Sequence, residues 1–269
     1  MFISERGNGK STMINALLGY EVLRTDITEC TAVATALVYS PHPFLRAYGK
    51  ATATHLPITE ESNLSKTELR DCIARWTTHD QDRFANDLNL VVIGWPSPML
   101  RSRLCLIDAP ALDADKVLGF GGASISDALL PLCDLIVFLV NIDKAVSKFN
   151  FDYLKERRQR LLSKRIIFAV NKIDQVIDSK IHSACDAFKG HLTELLYDAE
   201  ILPVSALAGV KSLRVNRPTG GSQLSIPPTL RVLEKDDVKV FSGDSSYREA
   251  LHRLSNLDSL RKRIMENIN

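Results

Sequence analysis

Gly7-Asn8-Gly9-Lys10-Ser11-Thr12 is the stretch of the 269-residue sequence that decides the fold. It reproduces the second half of the phosphate-binding pattern G-x-x-x-x-G-K-[ST], in which glycines let backbone N–H groups approach a polyphosphate. In that pattern the lysine contacts the β- and γ-phosphates and the Ser or Thr hydroxyl binds Mg²⁺, so Lys10 and Ser11 are predicted to have these roles. Apolar residues at helical spacing follow in 11–18. The sequence therefore predicts a helix whose N-terminus faces bound phosphates.

A second motif, Asn171-Lys172-Ile173-Asp174, follows a predicted strand and indicates which base is bound. A carboxylate at Asp174 can accept charge-assisted hydrogen bonds from the N1–H and 2-amino groups of guanine. Adenine has no 2-amino group and offers an acceptor at N1, so it would leave the carboxylate unpaired. Asn171 is expected to meet the base edge and Lys172 to lie along the ring face. These residues predict GTP or GDP as the ligand.

Two shorter motifs complete the series of nucleotide-binding motifs along the chain. Asp108-Ala109-Pro110-Ala111 follows an apolar segment where a D-x-x-G switch is expected. Asp108 is predicted to hold Mg²⁺ through a water molecule, since Mg²⁺ keeps part of its hydration shell. Val204-Ser205-Ala206 lies where a backbone N–H can cap guanine O6, although this segment alone is equally typical of a strand-to-loop turn. The order of all four motifs favours the nucleotide site.

Short apolar segments alternate with helical patterns along the chain. This alternation predicts an α/β fold of three layers, a P-loop NTPase with a mainly parallel central sheet. Strands are predicted over 33–39, 90–93, 104–107, 135–141, 165–171 and, more weakly, 201–204. Helices are predicted over 11–18, 65–76, 147–163 with Leu161 and Leu162 inward, 181–196, and a closing helix with Leu257, Leu260, Ile264 and Ile268 on one face. The Gly- and Pro-containing stretch 209–246 is expected to be an irregular excursion.

Composition limits the classes of partner. A formal net charge of +2 gives no reason to expect nucleic acid or an anionic membrane as a partner. The longest apolar run, around 135–140, is far shorter than the roughly twenty residues that a bilayer span requires. No signal peptide is recognisable. The sequence predicts a cytoplasmic protein.

With these residues in place, the chain resembles the GTPase domain of the dynamin superfamily, and most of all the bacterial dynamin-like proteins. The helix Ser11-Thr12-Met13-Ile14-Asn15-Ala16-Leu17-Leu18-Gly19 and the following Glu21-Val22-Leu23 are similar to that family's P-loop helix and its exit. Thr28-Glu29-Cys30-Thr31-Ala32-Val33 resembles its first switch, and Pro96-Ser97-Pro98-Met99-Leu100 is also similar to the family. Residues 40–100 match an insertion between the first switch and the Asp108 strand. The resemblance spans nearly the whole chain, so 1–269 is expected to be one GTPase domain.

The resemblance implies hydrolysis of GTP to GDP and phosphate, with Mg²⁺ and a K⁺ ion as cofactors. Thr31 corresponds to the Thr that reaches Mg²⁺ and the γ-phosphate, so Lys10 and Thr31 are the candidate catalytic residues and Ser11, Thr31 and Asp108 the candidate metal ligands. The candidate nucleotide-binding residues are Gly7, Asn8, Gly9, Lys10, Ser11, Thr12, Asp108, Ala111, Asn171, Lys172, Asp174, Ser205 and Ala206. The family also implies a homodimer through the GTPase domains. Membrane association, which would place the protein at the periphery of a membrane, is assigned to a stalk and tip that this chain does not include.

Departures from the family pattern keep two alternatives open. Ser4 replaces the first P-loop glycine, where a turn favours Gly conformations. Gly7 replaces a Ser or Asn that helps to bind a monovalent cation, and Ala111 replaces the switch glycine. These changes favour a guanine-nucleotide switch that does not hydrolyse and acts through a partner. A translation- or ribosome-associated GTPase is the second alternative; it predicts a short first switch and a basic RNA-binding appendage, and the sequence shows neither.

Only Met1, Phe2 and Ile3 precede Ser4, so most of the first strand of the expected fold is predicted to be missing. Loss of a central strand would expose the backbone edges of its neighbours. This feature predicts a start that lies inside the gene, or a fragment of a longer protein.

Overall fold

The computed structural model describes residues 1–25, 33–49, 57–77, 88–112, 125–214, 230–234, 237–241 and 244–268. Its strands are β1 (Phe2–Ile3), β2 (Ala34–Tyr39), β3 (Phe44–Gly49), β4 (Thr59–Ser62), β5 (Leu88–Trp95), β6 (Leu106–Asp108), β7 (Leu135–Asn141), β8 (Arg165–Asn171), β9 (Ile201–Pro203), β10 (Leu230–Glu234) and β11 (Asp237–Phe241). Its α-helices are α1 (Lys10–Leu18), α2 (Lys66–Thr77), α3 (Ile125–Leu129), α4 (Lys148–Glu156), α5 (Arg158–Leu162), α6 (Asp178–Glu194), α7 (Ala206–Arg214), α8 (Asp244–Ser255) and α9 (Leu257–Glu266).

Nine of these strands form one sheet, in the order β4-β3-β5-β2-β6-β1-β7-β8-β9. The five strands from β6 to β9 run parallel, and β2 is antiparallel to β6 but parallel to β5. β3 and β4 add an antiparallel edge. The region expected to be an insertion thus extends the main sheet. The carboxyl ends of β1, β8 and β9 lie at one edge of the parallel part, where ligands bind in folds of this kind.

Helices cover both faces of the sheet, which gives the three predicted layers. Every residue of β7 from Leu135 to Val140 is buried, because alternate side chains enter different cores. Val137 and Leu139 pack with α1, α7 and α9, whereas Phe138 and Val140 pack with α4, α5 and α6. The α/β class and the mainly parallel sheet are confirmed.

The first strand, β1, has two residues and lies in the middle of the sheet. β1 pairs with β6 through Phe2 and Asp108, and with β7 through Phe2 and Val137. The Met1 carbonyl accepts a hydrogen bond from the Val137 N–H at 2.8 Å, and the Met1 nitrogen donates to Leu135 O at 2.8 Å. The expectation of exposed neighbouring edges is therefore wrong at these positions, because three residues are enough to pair with both strands where they meet the P-loop.

The predicted helix over 147–163 is two helices. The chain leaves helical geometry at Arg157 (φ −103°, ψ 9°), whose guanidinium donates to Asp127 at 2.8 and 2.9 Å. The break reorients α5, so Leu161 is buried while Leu162 is 44% exposed. The inward placement of Leu162 was wrong, since a continuous 3.6-residue period does not hold across a break.

The described parts of the expected excursion over 209–246 form helices and strands and are not irregular. α7 continues to Arg214, β10 and β11 form an antiparallel hairpin, and α8 begins at Asp244. The closing helix is α9, in which Leu257, Leu260 and Ile264 are buried as predicted.

Candidate nucleotide site

The P-loop is the turn between β1 and α1. Gly7 and Gly9 have φ values of +75° and +88°, in the left-handed region that favours glycine. No side chain caps the N-terminus of α1, so its first backbone N–H groups remain free of a side-chain acceptor. They line a cavity of about 320 Å³ together with the loop. Such a helix end, with its partial positive charge, is suited to bind an anion.

At this end of the cavity three predicted side chains converge. Lys10 Nζ lies 3.1 Å from Asp108 Oδ1, and Ser11 Oγ donates to Asp108 Oδ2 at 2.6 Å. Lys10 and Asp108 are 7% and 1% exposed. The parallel strands β1 and β6 bring these residues together across 97 residues of sequence, because β1 ends at the P-loop where β6 ends at Asp108.

The same residues fit Mg²⁺. Asp108 Oδ1 is buried and accepts no well-directed hydrogen bond, although Lys10 Nζ is close to it. A carboxylate with an unused oxygen beside a serine hydroxyl is a donor set that Mg²⁺ accepts when phosphate oxygens and water complete its shell. Within the described ranges no cluster of three His, Cys, Asp or Glu side chains could hold a metal. Among the described residues, Ser11 and Asp108 are the ones that would hold a magnesium ion together with the phosphates of a nucleotide.

Asn171 also lines the cavity and acts as an internal brace. Its Nδ2 donates to Asn8 O of the P-loop at 2.7 Å, and its Oδ1 accepts from the Ala206 N–H at 2.9 Å. A Cβ at Gly9 would lie 2.5 Å from Asn171 Nδ2, which explains the glycine there. Asn171 therefore ties the phosphate loop to the loop after β9. A nucleotide that used the Ala206 N–H would have to share it with Asn171.

Lys172 and Asp174 follow Asn171 and line the same cavity. Lys172 is left-handed (φ 70°), which turns the chain sharply at the end of β8. Asp174 accepts a hydrogen bond from Ser205 Oγ at 2.5 Å. The Ser205 N–H donates to Ser255 O at 3.0 Å, so this N–H is engaged with the end of α8. Ser205 thus acts through its side chain, which orients the predicted guanine-reading carboxylate.

The three departures from the family pattern have different structural consequences. Ser4 is buried and has no left-handed φ, so the conformational strain expected there is absent. A Cβ at Gly7 would meet nothing within 4 Å. The Asn8 amide donates to Leu139 O of β7 at 3.3 Å. Ala111 is buried and lines the cavity.

Thr12 lines the cavity beside Ser11. Thr31 and the predicted first switch from Thr28 to Ala32 lie outside the described residues, whereas its last residue, Val33, is buried.

Several contributors were missed by the sequence reasoning. Asn15 is fully buried; its Oδ1 accepts from the N–H groups of Val22 and Leu23, and its Nδ2 donates to Leu23 O. This fixes the loop that leads towards the first switch. The cavity is also lined by Arg24, Thr25, Gln175, Leu207, Val210 and Arg214. No local motif marks these residues; the packing of α7 against α1 brings Leu207, Val210 and Arg214 to the cavity.

Comparison with known proteins identifies the family. The sequence model of the Dynamin family matches residues 1–173, which include the P-loop, Asp108 and Asn171. The chain belongs to the dynamin family. Two curated relatives are a bacterial dynamin-like protein of Nostoc punctiforme, 23% identical over 67% of this chain, and the probable transmembrane GTPase FZO-like of Arabidopsis thaliana, 23% identical over 92% of it. Human mitofusin-2 is 26% identical over 64% of the chain.

This dynamin-family chain spans about a quarter of the length of these relatives, between 21% and 25%. Its fold is similar to that of a chain from an oligomerised bacterial dynamin pair, with a TM-score of 0.66 and 13% identity. That match covers 99% of this chain and 44% of the other. At this identity the likeness concerns the fold alone. No helix within the described ranges combines the length and apolarity needed to cross a bilayer.

Proposed function

We propose that this chain binds GTP with Mg²⁺ and hydrolyses it to GDP and phosphate. One observation carries the proposal: a single cavity is lined by Lys10 and Ser11, which both contact Asp108, and by Lys172 and Asp174. The first set suits a polyphosphate and the second a guanine base. Membership of the dynamin family supports the same reading.

Each residue has a proposed role. The Lys10 ammonium and the N-terminal N–H groups of α1 would neutralise the β- and γ-phosphates, and they would stabilise the charge that develops as water attacks the γ-phosphate in line. Mg²⁺, held by Ser11, Thr31 and Asp108, would supply further neutralisation of the phosphate oxygens. Asp174 would accept from guanine N1–H and the 2-amino group while Lys172 covers the ring.

Nucleotide competition tests the binding part of this proposal. A fluorescent GDP analogue is bound to the protein and displaced by GDP, GTP, ADP or ATP. Because adenine leaves Asp174 unpaired, we expect guanine nucleotides to compete on the order of 10⁴-fold better than adenine nucleotides. Chelation of Mg²⁺ should weaken the binding of GTP more than that of GDP, since the ion held by Ser11 and Asp108 would also contact the γ-phosphate. Equal competition by GTP and ATP, or by neither, would contradict the proposal.

Phosphate release tests the hydrolytic part. In the family, two GTPase domains meet across the nucleotide, so we expect turnover per molecule to rise with protein concentration and with potassium. A rate that is flat in both would favour the non-hydrolysing switch instead. That alternative draws support from Ala111, which occupies the position of the switch glycine and is buried beside the cavity.

A further inference from the structure

A bidentate ion pair crosses between two segments at the rim of the cavity. Arg214, at the end of α7, donates from Nε to Glu21 Oε1 at 2.8 Å and from its terminal nitrogen to Oε2 at 2.7 Å. The two residues are 193 positions apart in sequence. Single exposed ion pairs contribute little, but the planar fork of Arg on a carboxylate is the strong exception. The Glu21 side chain is only 13% exposed, so part of this bond is shielded from water.

Glu21 and Arg214 each lie on a segment that is held in place by other contacts. Glu21 lies in the loop after α1, which buried Asn15 holds through the backbone of Val22 and Leu23. α7 packs closely on α1 and α9, because a Cβ at Gly209 would lie 3.0 Å from Ala16 and 2.3 Å from Leu257. The bond between Glu21 and Arg214 therefore joins two fixed supports and loses little side-chain freedom.

The bridge stands where the chain leaves the P-loop helix for the first switch. Arg24 and Thr25, which follow Leu23, line the cavity, and so do Val210 and Arg214 on the facing helix. The loop and α7 thus form two walls of one cavity. Separation of these walls would open the cavity.

We propose that the Glu21–Arg214 bridge is a positioning contact that keeps these two walls together and so slows the release of bound guanine nucleotide. The inference rests on the proposed function, because it assigns a role at the same cavity. It assigns the bridge to retention of the ligand and not to recognition of the base.

A double-mutant cycle on nucleotide release tests the bridge. Glu21→Gln, Arg214→Gln and the double variant are loaded with a fluorescent GDP analogue, which is chased with excess GDP. We expect each single change to speed release about three- to tenfold, and the double variant to release no faster than the quicker single variant. The preference for GDP over ADP should stay within twofold of the parent. Arg263→Gln, which breaks an exposed ion pair with Glu200 far from the P-loop in sequence, is the matched control.

The outcomes are distinguishable. Release at the parental rate from both single variants, or accelerations that multiply in the double variant, would overturn the inference while the parent still binds GDP. The same acceleration in Arg263→Gln would overturn it as well. If a Gln variant fails to fold, Arg214→Lys keeps the charge but loses the fork, and faster release from it supports the bridge. A parent that binds no guanine nucleotide contradicts the proposed function itself, and the inference then fails with it.

Discussion

The two ends of the cavity are organised in opposite ways. At the phosphate end, Lys10 and Ser11 are expected to touch the ligand, and both of them bind the same carboxylate, Asp108. At the base end the carboxylate expected to touch the ligand, Asp174, is held by Ser205, while Asn171 braces two loops. At the phosphate end, a ligand must therefore compete with Asp108 for Lys10 and Ser11. At the base end, hydrogen bonds hold Asp174 and the surrounding loops in place. Changes at the first should affect every nucleotide, and changes at the second should affect mainly the choice of base.

Removal of the Lys10 charge should have the largest effect. Lys10→Met keeps the aliphatic stem but leaves the phosphates and Asp108 without their cation, so we expect affinity for GDP, GTP and any residual adenine nucleotide to fall about 100-fold or more. Isothermal titration measures this loss. Lys189→Met, on the exposed face of α6, is the control and should bind like the parent. A Lys10→Met protein that binds within threefold of the parent would refute the role of the phosphate end.

Asp174→Asn should change the base that is preferred. The amide can no longer accept both guanine hydrogen bonds, so GDP affinity should fall about 30- to 100-fold. The amide instead offers a donor to the 2-oxo group of xanthine and an acceptor to its N1–H, so xanthosine diphosphate should gain affinity. Competition with both diphosphates measures the exchange, and Asp178→Asn in the first turn of α6 is the control. Equal losses for both bases would contradict a reading role for Asp174.

The two P-loop glycines test whether Asn171 restricts the phosphate loop, because Gly9 lies against Asn171 and Gly7 does not. Gly9→Ala places a Cβ 2.5 Å from Asn171 at a φ of +88°. We expect it to cost about 1–3 kcal/mol of folding stability and about tenfold in GDP affinity. Gly7→Ala meets open space and should cost about 1 kcal/mol, for its positive φ alone. Thermal unfolding compares the pair; equal destabilisation would show that Asn171 does not restrict the loop.

Ser205→Ala should have the smallest effect. It removes the hydroxyl that orients Asp174 and leaves the carboxylate in place, so GDP affinity should fall only about three- to fivefold. The loss should vanish in an Asp174→Asn background if Ser205 acts through Asp174. A full loss in that background would show that Ser205 does not act through Asp174, since its hydroxyl also accepts a hydrogen bond from the Ala208 N–H at 3.1 Å.

Local patterns predicted the parts of this molecule that depend on neighbours in sequence. The bounds of β7 and β8 agree with the predicted 135–141 and 165–171, because fully buried strands are continuous apolar runs between polar residues. The meeting of Lys10, Ser11 and Asp108 also followed, since parallel strands bring their carboxyl ends to one edge.

What could not be predicted depends on tertiary contacts between distant side chains. Neither hydrophobic periodicity nor motif spacing indicates that Asn171 binds Asn8 and Ala206. The same is true of the pairing of Arg214 with Glu21. At the break, Arg157 binds Asp127, which lies 30 residues away in the sequence. The strain expected at Ser4 was wrong for a related reason: the left-handed positions of this loop are Gly7 and Gly9.

A crystal structure of the protein with GDP and Mg²⁺ tests the central claim most directly. We predict the β-phosphate within hydrogen-bond distance of Lys10 Nζ and the α1 N-terminus, with guanine N1–H and the 2-amino group donating to Asp174. A nucleotide bound elsewhere, or one whose base avoids Asp174 while its phosphates occupy the P-loop, would contradict the account.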